Sequence, residues 1–97
     1  WTPGTDAKFK TATRQLGTQY DTYCPVPNAC HNGQLTMGEN IGDLGGLTMA
    51  YTAYKLSLQG KAAPVIDGYT GDQRFFLAWA QVWRALVRED EMRQRLV

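Results

Sequence analysis

The sequence has no long apolar run and no cluster of basic residues, and these two absences exclude several classes of protein. No stretch of about 18 consecutive apolar residues occurs in the 97 residues, so nothing in them predicts a membrane span. The net charge is +1, and the charged residues are spread along the chain. A surface that binds nucleic acid needs a basic patch, so we expect no nucleic-acid partner.

The strict alternation of apolar and polar residues that marks a half-buried strand is also missing. Apolar residues recur instead at helical spacing, and no segment repeats another. A chain of this length makes one domain at most, with a modest core. The sequence therefore predicts an all-α fold, an irregular bundle of three to four helices.

Local signals set the ends of the predicted helices. Thr2 has the character of an N-cap and Pro3 that of a first helical residue. Gly60 ends the second helix, and Thr70 with Gln73 forms a capping-box pattern before the third. The predicted helices run from Pro3 to about Tyr20, from near Thr36 to about Leu58, from about Gly71 to Val87, and from Glu89 to Val97.

The apolar face of each predicted helix is expected to be buried in the core. We interpret the aromatic residues of the third helix in the same way, as packing residues and not as a substrate pocket. The predicted core residues are Phe9, Ala12, Leu16 and Tyr20 in the first helix, Leu44, Leu47, Thr48, Tyr51, Tyr54 and Leu58 in the second, and Phe76, Trp79, Ala80, Trp83, Leu86 and Val87 in the third.

Both cysteines lie in the loop between the first two predicted helices. A short disulfide between Cys24 and Cys30 is compatible with this loop if the compartment is oxidising. The alternative is a metal site made by the two cysteines and His31, but structural zinc sites usually have only two to four residues between cysteines. The redox state of the pair stays open at this point.

Two carboxylates stand one helical turn apart in a glycine-rich part of the second predicted helix. Glu39 and Asp43 are at positions i and i+4, which places their Cβ atoms about 5–6 Å apart on one face. Two acids at this spacing repel each other, so a metal ion or a metal-bound histidine is expected above them. Gly42, Gly45 and Gly46 each cost about 1 kcal/mol relative to alanine, and they predict close approach by another helix.

Plain structural roles are the alternatives for both acids. Glu39 follows Thr36 by three residues, so its carboxylate would reach back to the Thr36 amide in a capping box. Asp43 taken alone is typical of a solvated helix residue.

The segment from Leu35 to Leu47 resembles the Gly-Glu-Asn-x-x-Asp-x-Gly-Gly signature of the neprilysin-type zinc metallopeptidases. The similarity continues in both directions and covers nearly the whole chain. The further matching segments are Trp1-Thr2-Pro3, Gln19-Tyr20 and Asn32-Gly33 upstream, and Ala50 to Tyr54, Asp67 to Phe76 and Ala78 to Arg84 downstream.

The resemblance implies a zinc metalloendopeptidase that hydrolyses peptide bonds in a periplasmic or secreted location. It implies that Glu39 is the third protein ligand of the catalytic zinc and that Asp43 hydrogen-bonds a zinc-binding histidine. The family's His-Glu-x-x-His motif and its Asp-x-His-Ser-Pro segment are both missing from these residues. The family usually has His-x-Asn-Gly where this sequence has Cys30-His31-Asn32-Gly33, which leaves the role of His31 open.

We therefore expect residues 1–97 to be the carboxyl-terminal helical part of a larger zincin-type catalytic domain. The expected partners are peptide substrates for the complete protein, the rest of that domain and, for the isolated chain, further copies of itself. One ligand of three does not hold zinc, so we expect the isolated chain to be inactive and to bind no stoichiometric zinc. The alternative is a non-catalytic helical interaction module derived from a peptidase.

Overall fold

The computed structural model describes residues 1–96 and contains four α-helices in that range. The described residues form no strand, and two isolated antiparallel bridges close turns in the loops. The predicted all-α fold is confirmed. None of these helices is both long and apolar enough to span a bilayer. The helices are α1 (Pro3–Tyr20), α2 (Met37–Ser57), α3 (Gly71–Val82) and α4 (Glu89–Leu96), and Val97, the predicted last residue of the fourth helix, lies outside the described range.

The chain divides into two compact units. The first consists of Trp1–Gly42 and the segment from Val87 onward, and the second of Asp43–Leu86. Helix α2 is continuous, and its first turns belong to the first unit while the remainder belongs to the second.

In the first unit, α1 begins as predicted. The Thr2 hydroxyl accepts a hydrogen bond from the Thr5 amide at 3.3 Å, and Pro3 occupies the first turn. Val26 and Leu96 are the buried apolar side chains, 8% and 3% exposed. The two cysteines, Cys24 and Cys30, form a disulfide in the loop between α1 and α2.

In the second unit, α3 begins with the predicted capping box. The Thr70 hydroxyl accepts from the Gln73 amide at 3.2 Å, and the Gln73 side-chain oxygen accepts from the Thr70 amide at 2.9 Å. The ring of Tyr54 stacks on that of Phe75 with centroids 5.5 Å apart. Its hydroxyl lies against Gly71, where a Cβ atom would collide with it. The first residue of α3 is therefore a glycine for steric reasons.

The predicted end of the third helix at Val87 is wrong, because α3 stops at Val82 and Trp83 is its C-cap. The prediction extended the helix along apolar residues at helical spacing, but Trp83 is 61% exposed and Leu86 fully exposed. Several other predicted core residues are also exposed, because an apolar face is suited to burial only where another surface covers it. These residues are Phe9, Leu44 and Phe76, with exposed fractions of 44%, 57% and 46%, and the smaller side chains of Ala12, Thr48 and Ala80.

Candidate metal-ligand site on helix α2

The first turns of α2 carry Glu39 and Asp43. Both side chains are exposed, and neither makes a hydrogen bond or an ion pair with another residue in the range 1–96. Since α2 is one continuous helix, residues four apart along it share a face. The two carboxylates are thus free to accept bonds from a group outside this chain.

The capping-box alternative for Glu39 is wrong. The Thr36 amide, which the carboxylate would have to reach, donates instead to the carbonyl oxygen of Asn32 at 3.1 Å. The Thr36 carbonyl in turn accepts from the Asn40 amide at 3.0 Å, so the helical hydrogen-bond pattern already starts at Asn32. The Glu39 carboxylate is not needed to begin α2.

Polar side chains beside Glu39 hold the start of the helix. The Thr36 hydroxyl lies 3.2 Å from Nδ1 of His31 and accepts a hydrogen bond from Nδ2 of Asn40 at 3.0 Å. Asn40 is only 8% exposed, which makes it the buried polar side chain of the described residues. Sequence reasoning missed this cluster. The only feature of the sequence that indicates this cluster is the i, i+4 spacing of Thr36 and Asn40.

The end of α1 fixes the segment that leads into α2. The Gly33 amide donates to the Asp21 carboxylate at 2.8 Å, and Gly33 lies so close to Gly17 that a Cβ atom on Gly33 would collide with the Gly17 carbonyl. The ring of His31 meets the edge of the Tyr20 ring, with centroids 5.3 Å apart. Both backbone and side-chain contacts with the end of α1 therefore fix the segment from His31 to Gly33.

The disulfide removes the alternative metal site in the loop. Its three ligands would be His31 and the two cysteine thiolates, but both sulfur atoms are bonded to each other. His31 instead contacts Thr36 and Tyr20. Its role in this structure is to support the polypeptide ahead of α2.

The glycines of α2 face open space. Apart from the neighbouring residues and backbone of α2 itself, no atom of the described residues lies within 4 Å of the position that a Cβ would take on Gly42, Gly45 or Gly46. Close approach by another helix at these positions remains a prediction. The described residues leave space for another helix at these three glycines.

The described side chains include a suitable zinc ligand but do not make a complete set of ligands. Across residues 1–96, no three His, Cys, Asp or Glu side chains come together as metal ligands would. A catalytic zinc takes three protein ligands, and an unpaired carboxylate such as that of Glu39 is an accepted third ligand beside two imidazoles. Asp43 has the free oxygen atoms needed to accept the outer N–H of an imidazole.

A second polar cluster, in the second unit, was not predicted at all. Nζ of Lys55 lies 3.1 Å from the Asp72 carboxylate, and the Tyr51 ring lies 5.7 Å from the same Nζ. Lys55 and Asp72 are 17 residues apart, so no local pattern indicated the pair. Both side chains are about half exposed, which is typical of a surface ion pair and not of a catalytic group.

An all-α fold with an unpaired Glu-x-x-x-Asp pair on a glycine-rich helix is compatible with a segment of a metallopeptidase. Comparison with known sequences is more specific, since the sequence profile of Peptidase family M13 matches residues 1–97. The chain belongs to this family. The resemblance recognised in the segment from Leu35 to Leu47 is confirmed.

Individual relatives agree with this assignment. Neprilysin-21 of Caenorhabditis elegans is 40% identical over 95 residues, and endothelin-converting enzyme 1 of Rattus norvegicus is 36% identical over 100 residues. These matches cover 91% and 100% of this chain but only 12% and 13% of the relatives. The chain thus spans about an eighth of their length.

A solved structure shares the same arrangement. The zinc metalloprotease Zmp1 of Mycobacterium tuberculosis, in its open state, superposes with a TM-score of 0.90 and 48% sequence identity. The same protein in complex with an inhibitor gives a TM-score of 0.91 at 47% identity. The match covers all of this chain and 16% of the Zmp1 chain.

Proposed function

We propose that this chain forms part of a zinc metalloendopeptidase and supplies Glu39 as one of the protein ligands of the catalytic zinc. The observation that carries the proposal is the free carboxylate of Glu39 on the first turn of α2, beside a Thr36 amide that already has a partner. Membership of Peptidase family M13 supports it. We call the longer protein that contains this segment the parent protein.

Each carboxylate has its own task in this proposal. Glu39 binds the metal through oxygen, and Asp43 accepts a hydrogen bond from a zinc-binding histidine of the parent protein, which fixes the histidine's tautomer and orientation. Zinc in such a site activates water and polarises the scissile peptide carbonyl. The isolated chain provides one ligand only, so on this proposal it neither binds zinc stoichiometrically nor cleaves peptides.

The proposed setting follows from the same reasoning. Peptides are the substrates of the parent protein, and the rest of its catalytic domain is the direct partner of residues 1–97. The disulfide between Cys24 and Cys30 supports an extracytoplasmic location, because such bonds persist in oxidising compartments.

The test is the Glu39→Gln substitution in the parent protein. The amide keeps the shape of the side chain but loses its negative charge, so we expect zinc affinity to fall by about 100-fold or more, together with peptidase activity. Asp43→Asn keeps one oxygen that can accept the supporting hydrogen bond but loses the negative charge of the carboxylate, and it should cost about 10–100-fold in zinc affinity. Zinc affinity is measured by competition with a chelator.

Glu91→Gln is the matched control for this test. Glu91 is exposed and its carboxylate is paired with Arg95 on α4, so the same chemical change there should leave zinc affinity unaltered. Normal zinc affinity in the Glu39→Gln protein would refute the proposal. That result would favour the alternative, a helical interaction module without catalytic function.

A further inference from the structure

The hydroxyl group of Thr36 is the centre of a polar cluster at the start of α2. Three atoms lie within hydrogen-bond distance of it: Nδ1 of His31 at 3.2 Å, the carbonyl oxygen of Asn32 at 3.0 Å, and Nδ2 of Asn40 at 3.0 Å. A hydroxyl donates one hydrogen bond and accepts two. All three partners are satisfied when Thr36 donates to the Asn32 carbonyl and accepts from the Asn40 amide and from an N–H at His31 Nδ1.

The partners of Thr36 are themselves anchored in the first unit. The His31 amide donates to the Tyr23 carbonyl at 2.8 Å, and the Asn32 amide donates to the Leu96 carbonyl at 2.9 Å. The first contact ties the cluster to the loop that follows α1, and the second ties it to the end of α4. Thr36 thus connects α2 to two fixed segments of this unit.

Glu39 has no such anchor of its own. Its exposed carboxylate makes no hydrogen bond or ion pair with another described residue, and its direction depends on the rotation of the helix about its axis. Each residue turns an α-helix by about 100°, so holding Thr36 and Asn40 fixes the direction of the residue between them. A metal ligand must be held to within about 0.5 Å to bind well.

We infer that Thr36, acting through Asn40 and the first turn of α2, is a positioning residue that orients Glu39 toward the metal. The hydroxyl ties the buried side of this turn to the protein, and the exposed carboxylate next to Asn40 is thereby pre-oriented. This inference rests on the proposed function of Glu39. It adds a residue that touches neither zinc nor substrate.

The test compares two substitutions at Thr36, the residue before α2, with one at Thr52 within α2, all in the parent protein. Thr36→Val keeps the shape but removes the hydroxyl, and we expect zinc affinity of the folded protein to fall by about tenfold or more. Thr36→Ser retains the hydroxyl and should keep the affinity within about threefold of the original value. Thr52→Val is the matched control, because the Thr52 hydroxyl donates the same kind of hydrogen bond to a carbonyl four residues earlier but has no hydrogen bond with a described side chain.

Zinc affinity is measured by chelator competition, and circular dichroism reports whether each variant is folded. A residue with a purely structural role would lower the thermal midpoint of the apoprotein without changing the zinc affinity of the folded form. If Thr36→Val does not fold, Asn40→Ala replaces it, since Thr36 then keeps its bond to Asn32 while the tether to Asn40 is lost. Several-fold weaker zinc binding is expected from that variant.

The outcomes separate this inference from the proposed function. Weak zinc binding in both Glu39→Gln and Thr36→Val, with recovery in Thr36→Ser, supports both. Loss of zinc in Glu39→Gln with unchanged affinity in Thr36→Val overturns the positioning role and leaves the metal ligand in place. Unchanged affinity in Glu39→Gln overturns the metal ligand, and the positioning role with it.

Discussion

Asp72, at the start of α3, makes polar contacts with two side chains of α2. Hydrogen bonds from Tyr51 and then from Lys55 hold the pKa of Asp72 below its ordinary value of 3.8. The same contact with Asp72 raises the pKa of the Tyr51 phenol above 10.0. The folded state therefore favours the ionised carboxylate. Its contribution to stability is present above pH 3.8 and is lost as the pH falls through the lowered pKa.

We expect Asp72→Asn to lower the thermal midpoint of the 97-residue chain at neutral pH, by a few degrees at most because the pair is exposed to solvent. The difference from the original chain should shrink as the pH falls from 3.8 through the lowered pKa of Asp72, because below that pKa the carboxyl group is neutral like the amide that replaces it. Circular dichroism at several pH values provides the measurement. Asp67→Asn is the control. This substitution removes the same charge, but Asp67 forms no ion pair within residues 1–96. A difference that persists unchanged in strong acid would contradict this assignment.

Helix starts were predictable and helix ends less so. The caps made by Thr2 and Thr70 depend on residues within three positions, so the sequence alone contains the whole interaction. The end of α3 at Val82 has no glycine or proline to mark it. Apolar spacing continued the prediction past that point, because periodicity reports which face is apolar and not where the helix stops.

The candidate site also has a part that could be predicted from the sequence and a part that could not. Glu39 and Asp43 could be singled out as candidates because the signature that contains them lies within one short segment of the sequence. The cluster around Thr36 depends on His31 and Asn32, whose positions follow from contacts with α1 and α4. Contacts between segments far apart in sequence leave no local pattern, so that cluster could not be predicted.

Substitutions at two glycines distinguish the effect of helix propensity on stability from the effect of close packing. Gly46 lies in α2, and outside the nearby backbone of that helix no described atom lies within 4 Å of an added Cβ, so Gly46→Ala should stabilise the 97-residue chain by about 1 kcal/mol. Gly33→Ala would force a methyl group into the Gly17 carbonyl and should destabilise it by about 1–3 kcal/mol. Urea denaturation followed by circular dichroism measures both changes.

The parent protein provides the contrasting arm of this experiment. If another helix packs closely on α2 there, as the sequence predicts, Gly46→Ala should destabilise the parent protein although it stabilises the isolated chain. Equal stabilisation in both proteins would show that no close approach occurs at Gly46. Destabilisation of the isolated chain would mean that its α2 differs from the structure.

Across the described residues, the chain as a whole buries few of its apolar side chains. Val26 and Leu96 are the only buried apolar side chains of that range. Large side chains remain exposed on both units, among them Trp1 at 84% in the first and Leu56 at 73% in the second. An apolar surface of this kind favours contact with another protein surface over contact with water. In the parent protein, the rest of the catalytic domain is the proposed partner.

The isolated chain has no such partner, and we therefore expect it to self-associate. The end of α3 and the residues after it are the most exposed apolar segment, with Val82 at 73% and Leu86 fully exposed. Replacing both with glutamine should shift the chain toward the monomer in sedimentation velocity runs over a range of concentrations, because less apolar area is then removed from water on association. Ala85→Gln is the control, since it adds the same polar side chain without removing a large apolar one. An original chain that sediments as a monomer at every concentration would refute the prediction, and equal association of the original and doubly substituted chains would place the contact elsewhere on the surface.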